Sequence, residues 1–201
     1  MEQLAIMTQS FVRNEQERDQ LIVACQHGDR EAFSMLFARH KDKVYSIALH
    51  FSGNEATAHD IAQQVFLKLM TNIQQFNFQA EFTTWLYRLV ANACFDEQRR
   101  WRKFLPFGDE VEIRQLQSRE NIEANYSRVE LSGAVQAAIA TLKPKLRLPI
   151  LLKYIEGMSY EEIAQVLDCS MGTVASRLNR GHKALAEKLS HLRGKTQYGE
   201  R

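Results

Sequence analysis

An all-α protein of two small helical domains joined by a flexible linker is what this 201-residue sequence predicts, and three observations carry the prediction. Apolar residues recur at the three-and-four spacing of helices with one buried face, not at the alternation of strands. Only three prolines and nine glycines punctuate the chain. Between about 104 and 130 the apolar spacing lapses: Pro106 and Gly108 break structure and Asp109, Glu110, Glu112, Glu120 and Glu123 gather. The expected division is therefore 1–103 for the first domain, 104–130 for the linker, 131–193 for the second domain and 194–201 for a polar tail. A hydrophobic content of 45% suffices for real cores in both.

In the first domain a helix from Asp19 to Gln26 closes at Gly28. Asp29 caps the next, whose stripe is Phe33, Leu36, Phe37, Val44 and Ile47, and Gly53 ends it. Asn54 caps a third, with Ala58, Ile61, Ala62, Val65, Leu69 and Ile73 on one apolar face. An aromatic loop holding Phe76, Phe78 and Phe82 leads into a helix from about Thr83 to Lys103. Its inward face is Phe82, Trp85, Leu86, Leu89 and Ala93. The opposite face carries Arg88, Asn92, Phe95, Arg99 and Arg102, and the Arg99-Arg100-Trp101-Arg102-Lys103 cluster extends it. Cations for phosphates interleaved with aromatic faces for unstacked bases suit single-stranded DNA.

In the second domain helical spacing resumes at Val135, with turns at Lys143-Pro144 and Glu156-Gly157. Pro149 falls inside a helix and is expected to kink it or shorten its start. Ser159 and Glu162 form a capping box, so a helix starts there, with Tyr160, Ile163, Ala164 and Leu167 on one face. The small Ala164 allows a second helix to approach closely. Asp168-Cys169-Ser170 supplies the turn: Asp tolerates left-handed backbone and Ser170 caps the next helix. In that last helix Val174, Leu178, Gly181, Leu185, Leu189 and Leu192 point inward, which leaves Thr173, Ser176, Arg177, Arg180 and Lys183 outward. The pair is a helix-turn-helix whose second helix suits the major groove, where Arg forks onto guanine edges and Ser, Thr and Lys reach phosphates or bases.

Several function classes are disfavoured. With 26 Lys+Arg against 24 Asp+Glu the net charge of +2 decides nothing, so clustering must. Cys25, Cys94 and Cys169 lie far apart, giving neither a disulfide framework nor a zinc site, and a reducing cytosol fits. The longest apolar run, Leu146 to Ile155, is interrupted by Arg147, Pro149 and Lys153 and falls far short of the ~20 residues that span a bilayer. The N-terminus lacks a signal peptide's pattern. No carboxylate cluster or oriented histidine marks an enzyme: His59-Asp60 reads as an exposed helix start, and His27, His40, His50, His182 and His191 are scattered. The expectation is a cytoplasmic, non-enzymatic protein without metal or cofactor.

Taken in order, three blocks resemble the extracytoplasmic-function group of bacterial sigma factors, from about Leu21 to Leu189. Asp60-Ile61-Ala62-Gln63-Gln64-Val65-Phe66 resembles the segment that docks on the clamp of the largest core RNA polymerase subunits. The resemblance implies polymerase-binding roles for Asp60, Gln63, Gln64 and Phe66, with Gln64 standing where an acid is usual. Phe82-Thr83-Thr84-Trp85-Leu86-Tyr87-Arg88, with Asn92, Asp96, Arg99 and Arg100 following, resembles the segment that melts and reads the promoter −10 element. The loop from Gln75 to Glu81 corresponds to the family's pocket for an extruded −10 base, so the resemblance implies that Phe76, Asn77 and Phe78 join that site, with Phe76 and Phe78 either stacking on the base or simply belonging to the core. The run from Tyr154 to Ala164, with Gly172-Thr173-Val174 and Ser176-Arg177-Leu178, resembles region 4, the −35 reader. Ala175 and the Gly181-His182 pair depart from it. The resemblance further implies a linker threading the polymerase's nucleic-acid channels, its acids standing in for phosphates, and an anti-sigma factor as partner. The rival reading is a stand-alone helix-turn-helix transcriptional regulator, which a mobility shift on duplex DNA with and without core polymerase separates.

Overall fold

The computed structural model describes residues 19–104 and 126–190, with side chains for 19–101 and 133–190. The acidic run from Asp109 to Glu123, the Arg102 side chain, Leu192 and the tail lie outside them. The regular structure described is helical: α1 (19–26), α2 (Arg30–Ser52), α3 (Glu55–Asn72), a 3₁₀ turn (Ile73–Gln75), α4 (Phe82–Phe104), α5 (Tyr126–Ala140), α6 (Pro144–Tyr154), α7 (Tyr160–Val166) and α8 (Met171–Lys188). Helix α5 begins at Tyr126, ahead of the expected boundary at 130.

Caps fix the first unit as read. The Asp29 carboxylate accepts from the amides of Glu31 and Ala32 at 2.8 and 3.1 Å, and Asn54 accepts from Thr57 at 2.9 Å. Each occupies donors that a helix start leaves free, a contribution of about 1 kcal/mol. Gly53 ends α2 at φ 69°, its amide bonded to Leu49. Leu36, Ile47, Ile61, Leu69, Phe82 and Leu86 are fully buried between α2, α3 and α4. Phe37, expected in the stripe, is 41% exposed instead and sits edge-on to Phe66 at 4.6 Å. One residue from Leu36 is a turn of about 100° around the helix, too far round to share its face.

In the second unit Pro149 does not shorten α6. Pro144 occupies the first helical position, where a missing N–H costs nothing, and the helix continues through the buried Pro149 at the loss of one bond to the Lys145 carbonyl. A Cβ on Gly181 would lie 2.5 Å from Ile150 Cδ1 and 3.6 Å from the Leu146 carbonyl, so this glycine lets α8 close on α6.

The two units pack on one another: α5 and α6 meet α2, and α6 and α7 meet α4. Tyr87, Ala91 and Cys94 are buried on a second face of α4 that the amphipathic reading left out. Arg147 of α6 is the largest surprise. Read as an interruption of an apolar run, it is buried, stacks on the Phe51 ring at 5.3 Å, and donates to the carbonyls of Phe51, Ala140 and Leu142.

His40 of α2 is 8% exposed, 5.6 Å from the Phe82 ring. Burial, reinforced by the positive charges of Arg39 and Lys43, lowers its pKa to about 4. Between pH 6.5 and about 4 the unfolded chain therefore binds a proton that the folded chain refuses. The stability this gives is complete above about pH 6.5 and drains away as pH falls towards about 4, by up to roughly 3 kcal/mol. Urea melts of wild type and His40→Leu across that window should converge on a shallower pH slope for the variant; equal slopes count against the assignment.

Candidate nucleic-acid interface

The helix-turn-helix is built from its caps. The Ser159 hydroxyl accepts from the Glu162 amide at 3.1 Å while the Glu162 carboxylate accepts from the Ser159 amide at 2.6 Å. Asp168 takes the left-handed conformation at φ 47°, and the Cys169 amide donates to the Ala164 carbonyl at 3.0 Å, closing the turn. The Ser170 hydroxyl then accepts from the Thr173 amide at 3.2 Å and starts α8. Val174, Leu178 and Gly181 are buried, and Leu185 and Leu189 partly so. This leaves Ser176, Arg180 and Lys183 exposed and Thr173 and Arg177 half-buried. Arg180 lies along the helix, donating to the Ser176 carbonyl at 3.3 Å and hydroxyl at 3.1 Å. Arg177 leans back to within 3.7 Å of the Cys169 sulfur. All five residues therefore lie on one side, with two guanidinium forks about a helical turn apart. Met171, which the sequence did not single out, is exposed at the start of the same helix.

On α4, Asn92, Arg99 and Arg100 are exposed, while Phe95 is half-buried and packs on the core. Arg88 is exposed but donates to the Gln165 carbonyl of α7 at 2.7 Å. Trp101, 56% exposed, extends the basic track with an aromatic face. Arg99 and Arg100 also line a cleft of about 490 Å³ with Gln64, Leu67, Lys68 and Asp96. There Asp96 accepts from Arg99 and, at 3.0 Å, from Lys68. Burial acts to raise its pKa, but those hydrogen bonds and charges outweigh it and hold the carboxyl below its ordinary range. Residues expected in polymerase docking and in −10 reading thus share one cleft.

On α3, Asp60 and Gln63 are exposed and Gln64 is half-buried. Phe66 is a correction: it is buried against Phe37, so packing on α2 takes its ring, and Leu67 and Met70 are the exposed apolar residues of that helix.

In the loop the two phenylalanines divide. Phe76 is buried, 5.6 Å from Phe82 and 5.5 Å from Trp85, and is core. Phe78 is 43% exposed at φ 59°, a left-handed conformation costly for a bulky side chain and therefore worth a functional reading. Asn77 is exposed and its side chain accepts from the Gln79 amide at 3.2 Å. Gln26 of α1, unremarked in the sequence, anchors the loop by donating to the carbonyls of Ile73 and Phe76 at 2.9 and 2.7 Å.

Comparison with known proteins matches two stretches of the chain. The family model Sigma-70 region 2 matches residues 36–104, and Sigma-70, region 4 matches residues 132–185. The ECF RNA polymerase sigma factor SigW of Bacillus subtilis is 35% identical over 173 residues, 82% of this chain and 92% of that protein. The ECF RNA polymerase sigma-E factor of Escherichia coli K12 is 32% identical, covering 89% and 98%. Among solved structures, CnrH in complex with the cytosolic domain of CnrY superposes with a TM-score of 0.63 at 26% identity, over 85% of this chain and 96% of that one. No described helix is long and apolar enough to cross a membrane. Both regions in order, with relatives above 30% identical along nearly their whole length, place the chain in the family of extracytoplasmic-function RNA polymerase sigma factors, which is a class of transcription initiation factors and not of enzymes.

Proposed function

We propose that this sigma factor directs promoter-specific initiation by differential binding. Core polymerase docks on α3 around Asp60, Gln63 and Gln64, with Phe66 as the packing support of that face. Thr173, Ser176, Arg177, Arg180 and Lys183 of α8 read the −35 duplex. Asn77, Phe78, Arg88, Asn92, Phe95, Arg99, Arg100 and Arg102 hold the melted −10 strand, and Phe76 supports their loop from beneath. The observation that carries the reading is the capped helix-turn-helix with five groove-suited side chains on one exposed face, in the same chain as a basic-aromatic helix. No reaction is catalysed by the chain itself; binding energy to the unpaired strand offsets the cost of opening the duplex. The site of action is the cytoplasm. CnrH is solved with the cytosolic domain of CnrY, and an anti-sigma factor that masks this chain is a fitting counterpart.

In vitro transcription with core polymerase tests the −10 assignment. Asn92→Ala combined with Arg99→Ala should lower open-complex formation roughly tenfold or more, from about 1–3 kcal/mol per stacked or bonded base, and a premelted −10 bubble should restore part of it. Unchanged permanganate footprints on the linear duplex would remove these residues from the site.

A further inference from the structure

The two DNA faces cannot be used together in the arrangement described. Promoter elements centred at −35 and −10 lie on the order of 85 Å apart at about 3.4 Å per base pair of duplex. Yet α7, the support of the −35 reader, touches α4: Arg88 donates to the Gln165 carbonyl at 2.7 Å and is thereby drawn off the −10 strand. The Tyr87 hydroxyl donates to the Glu156 carboxylate, which lies 3.8 Å from Lys43 Nζ of α2.

What joins them at the centre is Arg147. Its guanidinium takes the Phe51 carbonyl in the last turn of α2 and the Ala140 carbonyl at the end of α5, adds the Leu142 carbonyl at 2.9 Å, and stacks on Phe51. The carbonyls of Phe51 and Ala140 are the negative ends of helices, where a cation is favoured. Every hydrogen-bond partner it has among the described residues is neutral, and its Nε has none. A buried cation held by neutral carbonyls and one ring, with no carboxylate partner among the described residues, repays little of its desolvation, so hydration on opening compensates much of what is lost. Such a joint is strong enough to specify one closed arrangement and weak enough to open.

We propose that Arg147 is a latch between the two domains, holding a closed state that withholds α4 from the promoter strand and that must release α2 before both elements are engaged. The closed state leaves Asp60 and Gln63 of α3 and the outer side of α8 exposed, so polymerase docks first and opening follows. The latch rests on the promoter-reading assignment for its consequence, though not for its geometry.

Spin labels at Ser34→Cys and Ala186→Cys, both exposed positions, in full-length protein carrying Cys169→Ser, read the distance between α2 and α8. The latched protein should give one narrow, short distribution. Arg147→Met, of similar volume but uncharged, should broaden and lengthen it and raise affinity of the free protein for −10 single strand roughly tenfold. An unchanged distribution in folded Arg147→Met overturns the latch. Should Arg147→Met unfold the second domain, Arg147→Lys, which keeps the charge but lacks the fork that reaches three carbonyls at once, takes its place, and the same widening or its absence decides. Separately, Lys43→Cys and Glu156→Cys bridged by a short bismaleimide should cut transcription with core polymerase at least about tenfold against a monofunctional maleimide control. Equal transcription by bridged and control protein also overturns the latch. A control protein that never initiates indicts the promoter-reading assignment instead, while the spin-label distances still judge the latch.

Discussion

Arg177→Ala combined with Arg180→Ala should abolish promoter preference and reduce transcription from a cognate duplex promoter roughly a hundredfold or more, at about 1–3 kcal/mol for each forked contact with a base. Both guanidinium groups sit on the outward side of α8, where among the described residues Arg180 is bonded to Ser176 and Arg177 approaches Cys169. Neither caps a helix nor fills the core, so the helical circular dichroism and melting temperature should stay at wild-type values. The readout that separates base reading from phosphate contact is a panel of −35 substitutions. If the pair reads bases, the double variant transcribes cognate and mutated templates equally poorly. If it touches only phosphates, every template weakens in proportion and the salt slope falls by about one for each lost contact. A double variant that keeps the wild-type ranking of templates at wild-type yield assigns the −35 face elsewhere on α8.

Phe82→Ala should cost about 3–5 kcal/mol, a large share of the roughly 5–15 kcal/mol that holds a typical domain together. The ring is 1% exposed at the start of α4 and meets His40 at 5.6 Å, Phe76 at 5.6 Å and Trp85 at 6.0 Å. Its removal leaves a cavity beneath the loop that displays Phe78. Two measurements belong together: the urea midpoint, expected to fall steeply, and duplex opening at a temperature where the variant is still folded. Opening should drop further than core-polymerase binding, because the loop depends on the Phe76–Phe82 contact while α3 does not. A stability within about 1 kcal/mol of wild type would show that the neighbouring rings collapse into the space.

Local chemistry made most of the fold legible. Asp29, Asn54, Ser159 and Ser170 are caps because a short oxygen-bearing side chain before an apolar period leaves little else for free amides to bond. Asp168 in the left-handed turn was readable by the same kind of reasoning. The outward side of α8 was legible by subtraction, once Val174, Leu178 and Gly181 were placed inside. Where the sequence misled, a contact distant along the chain was responsible. The Phe66 ring, expected at the docking face, finds an apolar partner in Phe37 of α2, and of the two readings open for Phe76, stacking or core, the fold takes the second. Gln26 anchors a loop some fifty residues away, which no periodicity announces.

The sequence by itself determined the helices, their caps, the helix-turn-helix and the cationic character of α4, because each depends on bonds and spacings within a few residues. Only the tertiary structure decided which faces stay open. Tyr87, Cys94 and Arg147 are buried because two units that are separately amphipathic close on one another. An arginine in an apolar run is disfavoured until distant helix ends supply carbonyls to receive it. Those carbonyls come from residues as far apart as Phe51 and Ala140, and a local pattern carries no trace of them.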